Sequence, residues 1–250
     1  MKMTIYSKHY DHKPTADETK RYIHYGLSGI YVDNLQLTMS GIACSGWSFC
    51  PASFNGTRKN ANFAEQQMYF LDIDNDISGN LITPEQVLEQ CKDLSFPPFV
   101  MYHSFSSIPK APRFRVGFKM DQPIADYNAS QALQRLTMAI FGKKIDKSCK
   151  DPARLFYGSN KGILHYDAAA TVSTEDIIKH GTPYLGIIET KDVVDKNGGK
   201  LPDSIIYCKI RENVAKFEMQ HNELLAEISN CRLLNELPQI WLYHNGYTEN

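Results

Sequence analysis

Residues 68–74 read Met68-Tyr69-Phe70-Leu71-Asp72-Ile73-Asp74, an apolar run closed by two aspartates one residue apart. The run predicts a buried strand, and in a strand the side chains of residues i and i+2 leave the same face. Both carboxylates therefore stand side by side on one face of a sheet. Two like charges so placed raise each other's energy unless a cation neutralises them. Hard divalent ions such as magnesium take oxygen ligands of this kind, usually together with substrate phosphates.

The elements around that strand give the fold class. Thr83-Pro84-Glu85-Gln86 predicts a helix start: Thr83 caps, Pro84 suits the first turn and Gln86 reaches back. This helix runs to about Asp93, with Val87, Leu88 and Cys91 on one side. Phe99–Ser104 predicts a second strand, and Phe114–Lys119 a third after Pro109 and Pro112. From Asp126 to Phe141, Ala129, Ala132, Leu133, Leu136 and Ile140 keep helical spacing, and Gly142 marks the end. Ala153–Tyr157 predicts a fourth strand and Gly162–Tyr166 a fifth. Strand, helix, strand, strand, helix, strand is the split βαβ order of ferredoxin-like and RRM-like α+β cores. In that order the first and third strands are central neighbours and the fourth flanks the first. Asp72 and Asp74, the Arg113/Arg115 pair and the start of the fourth strand then share one neighbourhood.

Residues 1–60 show weak periodicity and read as an N-terminal α/β module. There Tyr22–Tyr25 and Gly29–Val32 form short strands or parts of helices, and the small and polar residues of Gly41 to Asn62 predict a loop-rich stretch. Residues 1–190 read as one catalytic domain with its core at about 56–170. Residues 191–202, rich in Lys, Asp and Gly, read as a linker. Residues 203–250 form a C-terminal helical segment, with Ile206, Ile210, Val214, Phe217, Leu224, Leu225 and Ile228 near helical spacing; it packs on the core or docks to a partner.

An apolar content of 42% and a charged content of 22% describe an ordinary globular chain. No apolar stretch approaches the roughly 20 residues of a membrane span. The N-terminus lacks the apolar core of a signal peptide, so the expected location is cytoplasmic. The six cysteines (Cys44, Cys50, Cys91, Cys149, Cys208 and Cys231) form no Cys-x-x-Cys pair and read as free thiols; a zinc site on Cys44 and Cys50 has no ligand spacing behind it. The net charge is −1, yet from Ser107 to Lys161 eleven basic residues face four aspartates, a local balance of +7. A basic middle on a neutral chain fits an anionic ligand held on one surface, or a solvated basic face.

Three clusters suit chemistry. Asp72 and Asp74 are the first. Arg113 and Arg115 are the second, on one strand face, with the planar multi-donor grip that phosphate oxygens need. The third runs from Ile145-Asp146 through Asp151-Pro152-Ala153-Arg154 to Tyr157-Gly158-Ser159, and adds a carboxylate and an arginine. Carboxylates converging with arginines suit two-metal phosphoryl transfer.

In these residues the chain resembles the archaeo-eukaryotic primase superfamily, in particular primase-polymerases of plasmids, phages and other mobile elements. Phe70-Leu71-Asp72-Ile73-Asp74 matches that family's Asp-x-Asp strand, and Ile145-Asp146 its apolar-Asp motif. The stretch Asp151–Tyr157 looks like the family's lead into an Arg-Leu strand. Arg113-Phe114-Arg115 stands where Ser-x-His is expected, a Pro-Arg-Phe-Arg form that many mobile-element members share. The resemblance covers about residues 56–166. It implies a nucleotidyltransferase, a DNA primase and polymerase that adds nucleotides from NTP or dNTP and releases pyrophosphate. Asp72, Asp74 and Asp146 are its implied catalytic and metal-holding residues, with two Mg2+ or Mn2+ ions as cofactors. Arg113, Arg115, Ser104, Ser106 and Arg154 are the expected nucleotide ligands. Arg58, Lys59, Lys143, Lys144, Lys147 and Lys150 are the expected contacts to a DNA template or primer. A helicase or other replication protein is the expected further partner, and no membrane is.

Other readings stay open. Asp72-Ile73-Asp74-Asn75-Asp76 opens like a calcium loop, but Ile77 and Thr83 stand where that loop needs Gly and Glu. A haloacid-dehalogenase-type phosphatase also begins with Asp-x-Asp after an apolar strand, with Asp72 as nucleophile; Asp76 departs from its pattern. A replication-initiator or single-strand DNA-binding module without turnover is the third. His103 is a further candidate for a functional role.

Overall fold

The computed structural model describes residues 1–23, 27–77, 79, 81–142 and 144–181. The expected linker and C-terminal helical segment lie outside the described residues, as does Lys143. In chain order the elements are β1 (Lys2–Tyr6), α1 (Ala16–Ile23), β2 (Leu27–Tyr31), α2 (Leu35–Ser45), β3 (Ser48–Cys50), β4 (Ala52–Phe54), β5 (Phe63–Ile73), α3 (Pro84–Asp93), β6 (Val100–His103), β7 (Phe114–Ile124), α4 (Tyr127–Phe141), β8 (Ile163–Tyr166) and α5 (Thr174–Gly181). They form an α+β fold with two antiparallel sheets, β2-β1-β3 and β4-β5-β7-β6-β8. The chain crosses from one sheet to the other at Pro51, a residue with no N–H to give to either ladder. Thr4 Oγ1 donates to Ala52 O at 2.9 Å and ties the sheets together.

Local signals make the middle of the chain. Thr83 Oγ1 accepts from Gln86 N while Gln86 returns a bond to Thr83 N, so the capping box starts α3 where the sequence predicts. Asp126 caps α4, and Gly142 ends it with a positive φ of 82°. β5 and β6 both run antiparallel to β7, which lies between them, with α3 as the crossover. This is the split βαβ frame, with the first and third predicted strands as central neighbours.

Alternation along β5 divides its residues between two layers. Tyr69 meets α4, its hydroxyl 3.3 Å from Ser130 Oγ. Phe118 of β7 stacks on Phe141 and tilts against Phe96, with centroids 5.2 and 4.9 Å apart. On the other face Phe70 packs edge-on to Phe49 at 4.8 Å and against Phe99 and Phe156 at 5.8 Å. Gly117 lies opposite Phe70, and a Cβ there would stand 2.8 Å from Phe70 and Phe99. The aromatic layer therefore rests directly on β7 backbone.

Two expectations fail. Residues 41–62 are not mainly loop: they hold the end of α2, β3 and β4. Gly41 lies within α2 without a side chain, and the Trp47 ring packs into that space: a Cβ there would stand 2.5 Å from the ring. Ala153–Tyr157 forms no strand beyond a single bridge from Phe156 to Phe49, and β4 takes the place beside β5. The reason lies in its backbone groups. Pro152 has no N–H to donate. Arg154 N turns back to Asp151 O at 2.9 Å, while the Ala153 and Tyr157 carbonyls accept from the guanidinium groups of Arg58 and Arg115. The acceptors that a ladder needs are already taken. Cys44, Cys50, Cys91 and Cys149 are free thiols. No helix among the described residues is long and apolar enough to cross a membrane.

Candidate functional site: a carboxylate and guanidinium cluster at the end of β5

The register of three strands sets the site. Asp72 of β5 pairs with Arg115 of β7, and Arg115 with Tyr102 of β6. Arg115 Nε lies 3.3 Å from Asp72 Oδ1, and Arg115 Nη2 donates to Asp72 Oδ2 at 3.3 Å. Both side chains are 8% exposed. The Arg115 guanidinium lies 5.7 Å from the centroid of the Tyr102 ring and 5.9 Å from that of Phe156. Burial works against its charge, but Asp72 beside it holds the guanidinium pKa above its ordinary value. Burial also pushes the Tyr102 phenol up to about 12.

Two residues nearer the solvent the same charges recur. Arg113 Nε stands 3.9 Å from Asp74 Oδ1 and donates to Asn75 O at 3.2 Å, while Nη2 lies 4.0 Å from Asp76 Oδ1. This pair is open: the side chains of Arg113 and Asp74 are 36% and 47% exposed. Partial burial and the Asp72 charge raise the Asp74 pKa, with Arg113 opposing them. Ser104 N donates to Arg113 O at 2.9 Å, which brings the β6 end into the same row.

The segment Lys144–Asp146 docks on the tip of β5. Asp74 N donates to Lys144 O at 3.2 Å, Ile73 bridges Ile145, and Asp146 N donates to Asp72 O at 3.0 Å. Asp146 thus reaches Asp72 across a long sequence separation. Arg154 Nη2 bridges them, 2.9 Å from Asp72 Oδ2 and 2.8 Å from Asp146 Oδ2, and Nη1 bonds Ser148 Oγ. The guanidinium lies 4.8 Å from the Phe156 ring centroid. Burial would raise the Asp146 carboxyl, but the Ser148 N–H and Arg154 outweigh it and hold the pKa below the usual range.

The structure thus brings Asp72, Asp74, Asp146, Arg113, Arg115 and Arg154 together. Ser104 is buried beside them, and Ser106 is exposed on the β6–β7 connection. Arg58 turns inward, bonding Ala153 O and facing Tyr6. Lys59, Lys147 and Lys150 are exposed, and Lys144 Nζ lies over Gly79. His103 is half-buried and bonded through Nδ1 to Ser107 Oγ at 3.0 Å; burial lowers its pKa.

Sequence reasoning passes over Asn75, Ser107 and Lys161. Asn75 is fully buried: Nδ2 donates to Ile82 O at 2.7 Å and to Pro112 O at 2.5 Å, and Oδ1 accepts from Ile82 N at 2.9 Å. It locks the backbone on both sides of the Asp74–Arg113 row. Ser107 Oγ accepts from Arg113 N at 3.0 Å, and Lys161 Nζ donates to Phe105 O at 2.8 Å and to Ser107 O. Only the polarity of residues 74–80 and 104–107 hints at such roles.

Asp72 Oδ1 and Arg115 Nε are buried with no hydrogen bond of good geometry and face each other as an ion pair at 3.3 Å. The half-open Asp74, whose carboxyl is raised by partial burial and by Asp72, is the carboxylate that fits a place for a cation. Among the described residues no three Asp, Glu, His or Cys side chains are grouped to enclose one ion.

No protein-family model matches this chain, and no curated protein matches it. Among solved structures it is similar to the AEP domain of the primase-polymerase (PrimPol) of cyanophage S-2L, at 13% identity and a TM-score of 0.44, over 71% of this chain and 88% of that one.

Proposed function

We propose that this protein is a metal-dependent nucleotidyltransferase of the primase-polymerase type, which extends a DNA-templated strand from nucleoside triphosphates and releases pyrophosphate. The observation that carries the reading is the meeting of Asp72, Asp74 and Asp146 with Arg113, Arg115 and Arg154 at one sheet end. Three carboxylates against three guanidinium groups leave the cluster near neutrality. Divalent ions added there create a surplus of positive charge that a polyanionic triphosphate offsets.

Asp72 and Asp74 would hold the ions, with Asp146 beside Asp72 as the third carboxylate. When bound, such ions lower the pKa of the attacking 3′-hydroxyl and offset charge on the departing pyrophosphate. Arg113 is the phosphate grip: it is partly exposed, and its two acidic partners stand at the long end of ion-pair range. Arg115 is sealed beside Asp72 and bonded to Tyr157 O, so it positions Asp72 rather than touching substrate. Arg154 holds Asp146 against Asp72 and keeps two carboxylates from repelling each other. Lys147 and Lys150, exposed on the turn that follows Asp146, line the path of template or primer phosphates.

Primer extension and de novo synthesis in manganese test the proposal. Asp72→Ala/Asp74→Ala should abolish incorporation while DNA binding survives. Equal turnover by parent and variant removes the reading, and metal-independent DNA binding with no incorporation by the parent favours the binding-module alternative.

A further inference from the structure

Beside the carboxylate cluster lies a cavity of about 530 Å³ that the metal and phosphate roles leave unused. Asn75, Asp76 and Ile77 form one wall, on the loop after β5; Ser106, Ile108, Ala111 and Arg113 form the other, on the β6–β7 connection. We propose that this cavity takes the nucleoside half of the incoming nucleotide, and that Asp76 reads the 2′-hydroxyl of its sugar and so favours ribonucleotides. The inference rests on the nucleotidyltransferase reading for its biological use, but its binding chemistry stands on the cavity.

Four observations support it. First, Arg113 belongs to both places. Its guanidinium faces Asp74 at 3.9 Å and lines the cavity, so a phosphate held at Arg113 delivers the attached sugar into the space beside it. Second, the two walls carry Ile77 and Ile108, 72% and 45% exposed, among the few large apolar side chains left in water within the described residues. Branched apolar groups on opposite walls of one cleft suit a flat, weakly polar ring such as a base.

Third, bonds anchor part of each wall before any ligand arrives. Asn75 ties its wall to Ile82 and Pro112 by three bonds, and Ile108 and Ala111 exchange backbone bonds of 3.0 and 3.4 Å across a tight turn. These anchors lower the cost of ordering the wall residues they hold. Fourth, the charges select against other ligands. Asp76 disfavours a second polyanion inside the cavity and Arg113 disfavours a bare cation. A neutral body with hydroxyls, joined to a phosphate, satisfies both. A carboxylate that accepts from a ribose 2′-hydroxyl is how dinucleotide-binding folds recognise that sugar. At Asp76 the carboxylate is 68% exposed, so water competes and the discrimination is modest.

The test uses the full chain in manganese, titrated with the 2-aminopurine ribonucleoside triphosphate and its 2′-deoxy counterpart and read by fluorescence. The parent should bind the ribonucleotide about ten-fold tighter, the scale of one charge-assisted hydrogen bond weakened by exposure. Asp76→Asn should bring the two affinities within about two-fold. Ile108→Ala should weaken both by a similar factor and leave their ratio unchanged. Both side chains are solvent-exposed, and a parent-like melting temperature checks that each variant folds. Equal binding of the two sugars by the parent, no binding of either, or discrimination kept in Asp76→Asn overturns the inference. Turnover that persists in Asp72→Ala/Asp74→Ala instead overturns the nucleotidyltransferase reading and leaves these binding results to stand on their own.

Discussion

The Asp72–Arg115 pair and the Asp74–Arg113 pair are the same chemistry two residues apart on the same two strands. One is sealed at 8% exposure on both sides, and the other is about half open. In the sealed pair the arginine serves the fold, by fixing Asp72. Arg115 is held by Asp72, by Tyr157 O and between two rings, so neither partner can leave without stranding the other. In the open pair the contacts are longer and the charges remain available. Strand alternation repeats the pattern, and depth from the surface divides the two arginines between framework and ligand.

The largest test of that contrast is to delete each arginine. Arg115→Ala leaves a buried carboxylate with only Arg154 as counter-ion and should lower unfolding free energy by about 3–5 kcal/mol. Arg113→Ala should cost under about 1 kcal/mol, since exposed pairs contribute little, yet raise the KM for nucleoside triphosphate about ten-fold or more. Urea denaturation with steady-state kinetics on both variants checks this. Equal losses of stability would erase the distinction.

A smaller effect sharpens it. The Asp74 pKa is raised in the folded state, so the native protein binds more protons there than the unfolded chain does between the two pKa values. Its contribution to stability is fully present below the unfolded value and declines as pH rises through the folded one. Asp146 is lowered, so its contribution is present above the unfolded value and lost as pH falls through the folded one. Asp74→Asn and Asp146→Asn should therefore change the acid slope of unfolding free energy in opposite directions, read by denaturant titration across the carboxylate range. The smallest effect is at the rim. Lys147→Ala or Lys150→Ala should reduce the slope of log K for DNA against log salt by about 1 each, measured by fluorescence anisotropy.

Much of this frame is legible in the sequence because the signals are local. Thr83 with Gln86, Asp126 and Gly142 mark helix ends through bonds that span a few residues, and the apolar run 68–71 closed by Asp72 and Asp74 marks the strand and its charged face. The pairing of β5 with β7 follows from the order of elements, which brings Asp72 and Arg115 into one row. What the sequence hides is competition for backbone groups. Ala153–Tyr157 has the apolar residues of a strand, yet Arg58 and Arg115 claim its carbonyls from far along the chain. The small residues of α2 and β4 carry little periodicity, so their elements depend on contacts such as Trp47 over Gly41. Asn75 is silent for the same reason: its partners are main-chain groups that only folding brings near.

Gly117 carries a consequence that its position hides. It bears no charge and touches no candidate ligand, but the rings of Phe70 and Phe99 lie against it, two residues along β7 from Arg115. A single added methyl would wedge those rings off the strand and, through Phe156 packed on Phe70, tilt the Arg115 guanidinium beside it. An uncharged change in the packing would then surface as a fault in electrostatics, and a screen restricted to ionisable positions would miss its cause.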